Sequence, residues 1–150
     1  MDPYRNFLVV ALVAGLAVAG AWVAWAQIPR TPSPPGARVY FIEPKDGALI
    51  KGPVKVVMGL AGMGIAPAGV ETPDPKEQGH HHLLVNTELK AKDQPIPSDD
   101  RHRHFGKGQT ETVVDLPTGK HTLHLVLGDR YHVPHDPPVM SEKITISVEK

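Results

Sequence analysis

The chain has no cysteine, which excludes a disulfide framework, a thiolate zinc site and a thiol nucleophile. It has no surplus of charge either, since 16 Lys and Arg balance 16 Asp and Glu. A domain that gripped polyanions through bulk charge would carry an excess of basic residues, so no nucleic-acid partner is expected. Aromatic residues are scarce: two Trp, three Tyr and three Phe. Proline (16) and glycine (14) make up a fifth of the 150 residues, short of the roughly 25–30% that marks low complexity. Histidine is frequent by contrast with Trp, Tyr and Phe. There are nine, all beyond residue 79, so the chain divides into parts with different chemistry.

From Phe7 to Ala26 the sequence FLVVALVAGLAVAGAWVAWA runs 20 residues without a charge. At about 1.5 Å per residue such a helix spans the ~30 Å hydrocarbon core of a bilayer. It is apolar on every face, unlike a helix on the surface of a soluble domain. Trp22 and Trp25 sit near its end, where an aromatic belt meets the lipid headgroups. A cleaved signal peptide is the alternative, because Ala24-Trp25-Ala26 fits an A-x-A cleavage site. The run exceeds the ~7–15 apolar residues of a signal core, so a retained anchor over residues 1–28 is the favoured reading. Ala11, Gly15 and Ala19 recur at four-residue spacing, which lets another helix approach closely in lipid. The expected partners are the lipid bilayer and other transmembrane subunits.

Residues 29–37, PRTPSPPGA, hold four prolines and predict an extended, semi-rigid spacer that lifts the C-terminal domain off the membrane. Residues 38–150 read as β throughout. Apolar runs at Val39–Ile42, Val54–Leu60, His82–Thr87, Thr112–Leu116, Thr122–Leu127 and Ile144–Val148 are separated by turn chemistry such as Lys45-Asp46-Gly47 and Pro117-Thr118-Gly119. Thr122, His124 and Val126 alternate with Leu123, Leu125 and Leu127, the period of two of a sheet. The fold class expected is all-β: an immunoglobulin-like two-sheet sandwich preceded by one transmembrane helix, with a small barrel as the alternative. The long irregular stretches Gly62–Gln78 and Lys90–Gly108 are binding loops or edge covers.

The chemistry lies in the histidines. In a strand, His80 and His82 share one face and His81 takes the other. His102 and His104 flank Arg103, while His132 and His135 bracket Val133-Pro134. His80, His82, His102, His104, His132 and His135 are therefore the candidate metal ligands. Imidazole with the thioethers of Met58, Met63 and Met140 suits copper, and three imidazoles with an open position suit zinc. Against this stand two other roles: histidines that tie loops to strands through both ring nitrogens, and a pH-responsive surface. An enzyme is not expected, since Ser141 has no G-x-S-x-G context and Asp74, Asp99 and Asp100 read as solvated loop carboxylates.

The strings GHHHLLVNT, RHRHFGKGQTETVVDLPTGKHTLHLVLGD and HVPHDPPVMSEKITISV resemble the bacterial family known as domain of unknown function 4399. The resemblance covers nearly all of residues 39–148. It implies an exported β domain, and hence a periplasmic one, but no reaction. It also suggests an extra subunit of an energy-transducing membrane complex, of the photosynthetic reaction-centre and antenna type. The sequence thus predicts a single-pass inner-membrane protein with its C-terminal domain in the periplasm, acting as a non-enzymatic accessory or stabilising subunit. The alternative is a periplasmic copper-binding or copper-delivery protein.

Overall fold

Along Gly119–Gly128 the side chains of His121, Leu123, Leu125 and Leu127 are buried while Thr122 and His124 are only partly so. Alternation of this kind lets one face of a strand pack into a core. In the computed structural model, which describes residues 30–150, nine strands follow this logic. They are β1 (Arg38–Glu43), β2 (Leu49–Lys51), β3 (Val54–Ala61), β4 (Gly64–Ile65), β5 (Gln78–Val85), β6 (His102–His104), β7 (Glu111–Val114), β8 (Gly119–Gly128) and β9 (Ile144–Glu149).

They form two sheets, one ordered β1-β3-β7 and the other β2-β9-β8-β5-β4, with β6 also pairing β5. Two pairs are parallel, β2 with β9 and β4 with β5, and the rest are antiparallel. Between the sheets lies the main core, built from Val54, Val56 and Met58 of one and Leu83, Leu123, Leu125 and Ile146 of the other. The fold is therefore an all-β, two-sheet sandwich.

The large sheet is also covered on its outer face. Leu84 and Val126 pack there against Ile96, with Leu89 and Met140 beside them. Hence β5 is buried along almost its whole length. That explains one departure from the sequence reading: the strand expected at His82–Thr87 begins four residues earlier, at Gln78, because its imidazoles are enclosed too. It stops at Val85, since Asn86 takes a left-handed conformation (φ 52°), which asparagine tolerates. The stretch Gly62–Gln78 contains β4, and Lys90–Gly108 contains β6. Both extend the edge of β5, and the loop before β6 supplies Ile96 as cover.

The proline-rich segment, expected as an extended, semi-rigid spacer, is tied down over its described part. Thr31 and Ser33 exchange backbone hydrogen bonds with Asp136 (2.9 and 3.0 Å), and Ser33 Oγ donates to the Pro137 carbonyl (2.8 Å). Proline removes N–H groups, and the interposed Thr31 and Ser33 supply the polar atoms that dock it. Among the described residues no helix is long and apolar enough to cross a membrane. The expected anchor, with Ala11, Gly15, Ala19, Trp22 and Trp25, lies outside the described residues.

Candidate metal centre

Strand alternation places His80 and His82 on the outer face of β5 and His81 towards the inter-sheet core. The register sets His104 of β6 directly opposite His82 and Gly128 of β8 opposite His80. A fourth ring arrives from the turn after β8, where His132 holds a left-handed backbone (φ 67°). For a histidine that conformation is strained by about 1–2 kcal/mol. Asp129 enforces it: its buried carboxylate Oδ1 accepts the Tyr131 (2.8 Å) and Val133 (3.0 Å) backbone N–H groups, and its carbonyl accepts the N–H of His132 (2.9 Å).

Four imidazoles thus converge. Ring centroids lie 4.6 Å apart for His104–His132, 4.9 Å for His80–His104, 5.0 Å for His82–His104 and 5.1 Å for His80–His132. Two glycines leave room for them. A β-carbon at Gly106 would stand 2.2 Å from His104 Cε1, and one at Gly128 would stand 2.8 Å from His82 Nε2.

His80 and His82 are fully enclosed, while His104 and His132 are half-buried and open a route to solvent. Burial pushes the His80 ring down to about 3 and the His82 ring to about 2, and the neighbouring imidazoles add repulsion against a second charge. His104 is lowered for the same reasons, with His132 as the repelling neighbour. His80, His82 and His104 are therefore held towards the neutral form, in which imidazole offers a lone pair to a cation.

The hydrogen bonding is incomplete. His80 Nε2 and His82 Nε2 lie 3.0 Å apart and share one proton between them. Whichever ring holds it, one Nδ1 is a bare lone pair and the other an N–H. Both Nδ1 atoms are buried without a partner, as is His104 Nε2. Each such orphan costs about 1–3 kcal/mol.

His80, His104 and His132 each present one nitrogen within 4.8 Å of the others. Around a tetrahedral zinc ion at about 2.0–2.1 Å, imidazole nitrogens stand roughly 3.3 Å apart. A purely nitrogen donor set of imidazoles fits zinc or copper(II).

The other expected ligands do not join the ring cluster. His102 Nδ1 is 2.9 Å from Asp99 Oδ1, on the wall of a cavity of about 350 Å³ that Leu89, Pro95 and Pro97 also line. Asp99 is thus a histidine partner and not a free loop carboxylate. His135 Nε2 donates to the Gln78 carbonyl (3.2 Å). Of the thioethers, Met58 and Met63 pack with the inter-sheet core, whereas Met140 packs beside Leu84 and Val126 on the outer face. Two histidines outside the candidate set hold loops to strands. His121 donates from Nε2 to the Pro117 carbonyl (2.7 Å) and accepts from Asn86 Nδ2 at Nδ1 (2.9 Å), and His124 Nε2 donates to the Ser141 carbonyl (2.8 Å). Sequence reasoning missed Gly106, Gly128 and Asp129. The only local hints were a glycine two residues after His104 and a Gly-Asp turn closing the longest strand.

Fold and site together define a class: a two-sheet β-sandwich with a histidine-only cluster on the covered outer face of its larger sheet. Residues 56–149 match the family model described as domain of unknown function (DUF4399), and the chain belongs to that family. No curated protein matches it. Among solved structures it is similar to the endo-beta-1,4-mannanase from Thermotoga petrophila, at 19% identity and a TM-score of 0.43, over 76% of this chain and 20% of that one. The chain thus spans about a fifth of the length of that protein.

Proposed function

We propose that this domain is a non-enzymatic metal-binding module that takes up zinc or copper(II) through His80, His104 and His132, with His82 bonded behind His80. One observation carries the reading: three imidazoles converge within 4.8 Å beside buried ring nitrogens that have no protein partner. A bound cation supplies a partner to those of them that carry a bare lone pair. A catalytic role has less support, because the Ser141 hydroxyl is already engaged, accepting from Leu125 N–H (2.9 Å) and donating to the Glu142 carbonyl (2.7 Å).

The sandwich reads as immunoglobulin-like, in keeping with its mainly antiparallel pairing around a single inter-sheet core. The run from Phe7 to Ala26 holds it to the inner membrane, with the domain in the periplasm. Equilibrium dialysis of the full chain in mild detergent tests the metal reading. Uptake of one zinc or copper ion, lost in His80→Ala with His104→Ala, supports it, and metal-free protein after dialysis overturns it.

The second reading is an accessory subunit of a membrane complex, of the photosynthetic kind or another. It is favoured by the outer face of the small sheet, where Tyr40 (40%), Ile42 (43%) and Val113 (64%) stay exposed. Apolar side chains gathered on one face are a common mark of a partner surface. Co-purification in fixed ratio with other membrane proteins supports this reading, and recovery of the chain alone from gently solubilised membranes opposes it.

A further inference from the structure

The loop that delivers His132 is fastened from outside its own sequence. Thr31 Oγ1 donates to Asp129 Oδ2 (2.7 Å), the second oxygen of the carboxylate whose first oxygen holds the His132 turn. Arg30 Nη2 donates to the His135 carbonyl (2.5 Å), and its Nη1 pairs with Asp136 (3.0 Å). Pro32 bridges to Asp136 in parallel fashion. Four consecutive residues, 30–33, therefore strap both ends of the 129–137 loop, about a hundred positions away in sequence. His80 and His104 need no such help, because their strands are fixed by the sheet ladder.

We infer that Arg30 and Thr31 are positioning residues for the metal centre. By holding Asp129 and the His135–Asp136 backbone, they keep the strained His132 turn in the shape that aims its ring at His80 and His104. The inference rests on the metal reading above and adds to it a dependence on the segment that leads in from the apolar run. With the strap released, the site retains two well-placed imidazoles and loses the third. Residues that orient a ligand without touching the metal typically change affinity by about 10–100-fold.

The test uses the full chain in detergent, zinc as the probe, and affinity read by competition with a chelator. Thr31→Val removes the hydroxyl at nearly constant shape, Thr31→Ser keeps it, and Arg30→Gln releases the other end of the loop. Thr31→Val and Arg30→Gln are each expected to weaken zinc binding about tenfold or more, while Thr31→Ser restores it. A structural role alone would weaken binding by the same factor in any background. Positioning through His132 requires that Thr31→Val have no further effect once His132→Ala is present. Equal affinity of Thr31→Val and the parent chain, or an undiminished effect in the His132→Ala background, overturns the inference and leaves the metal site standing. A parent chain that binds no zinc or copper overturns the metal reading, and the strap's role with it.

Discussion

Gly106 lies under the ring of His104 so closely that a β-carbon there would come within 2.2 Å of Cε1. The glycine is needed for the space it leaves, since its backbone lies outside the positive-φ set. Gly106→Ala should turn His104 out of the cluster without unfolding the domain. The expected outcome is zinc binding weakened by about tenfold or more, with the thermal midpoint of the metal-free protein little changed. Unaltered affinity would separate His104 from the site.

The metal-free protein should lose stability in mild acid. His80 and His82 remain neutral when folded, at about 3 and 2, whereas the unfolded chain protonates them near 6.5. Below pH 6.5 the unfolded state therefore binds more protons, so stability falls as the pH falls. Each imidazole should account for a loss of about 2 kcal/mol between pH 7 and pH 5. Urea unfolding at the two pH values checks this, and a flat profile would mean that the two rings are not enclosed as described.

His132→Gly separates strain from function. Glycine accepts a φ of 67° freely, so the metal-free domain should keep its stability or gain up to about 1 kcal/mol. Zinc affinity should fall with the lost ligand. A clear loss of stability would show that the ring packs for structure alone.

His121→Ala should behave in the opposite way. It leaves the Pro117 carbonyl and the Asn86 amide without their partner and should cost about 1–3 kcal/mol of folding stability. Metal uptake should not change, because His121 faces the inter-sheet core with Leu123 and Leu125.

Protease added to spheroplasts tests the topology. A domain held outside the inner membrane by residues 7–26 should be digested to a small membrane-held fragment. Protection of the domain, or recovery of a chain beginning at Gln27, would overturn the anchored reading.

The parts of this architecture that the sequence foretold are those governed by a short period. Val54–Leu60, Thr122–Leu127 and Ile144–Val148 fall within β3, β8 and β9, and the shared face of His80 and His82 follows from alternation alone. What escaped the reading depends on distant residues. His102 turns to Asp99 because that carboxylate also caps the Arg101 and His102 N–H groups, a local knot that spacing between histidines does not reveal. His132 reaches the cluster on a turn whose Asp129 is bonded to Thr31, a contact across some hundred residues. The outer cover of the large sheet was equally hidden, since Ile96 stands alone between prolines in a polar stretch.

The triplet His80-His81-His82 has one more effect, on how the strands find their alignment. A slip of β5 by a single residue would exchange its faces, pressing two imidazoles into the oily layer beside Leu125 and leaving only His81 outside. Two rings with unmet nitrogens in that layer would be costly. The triplet thus acts as a proofreader of the sheet, penalising the slipped alignment before any ligand is involved.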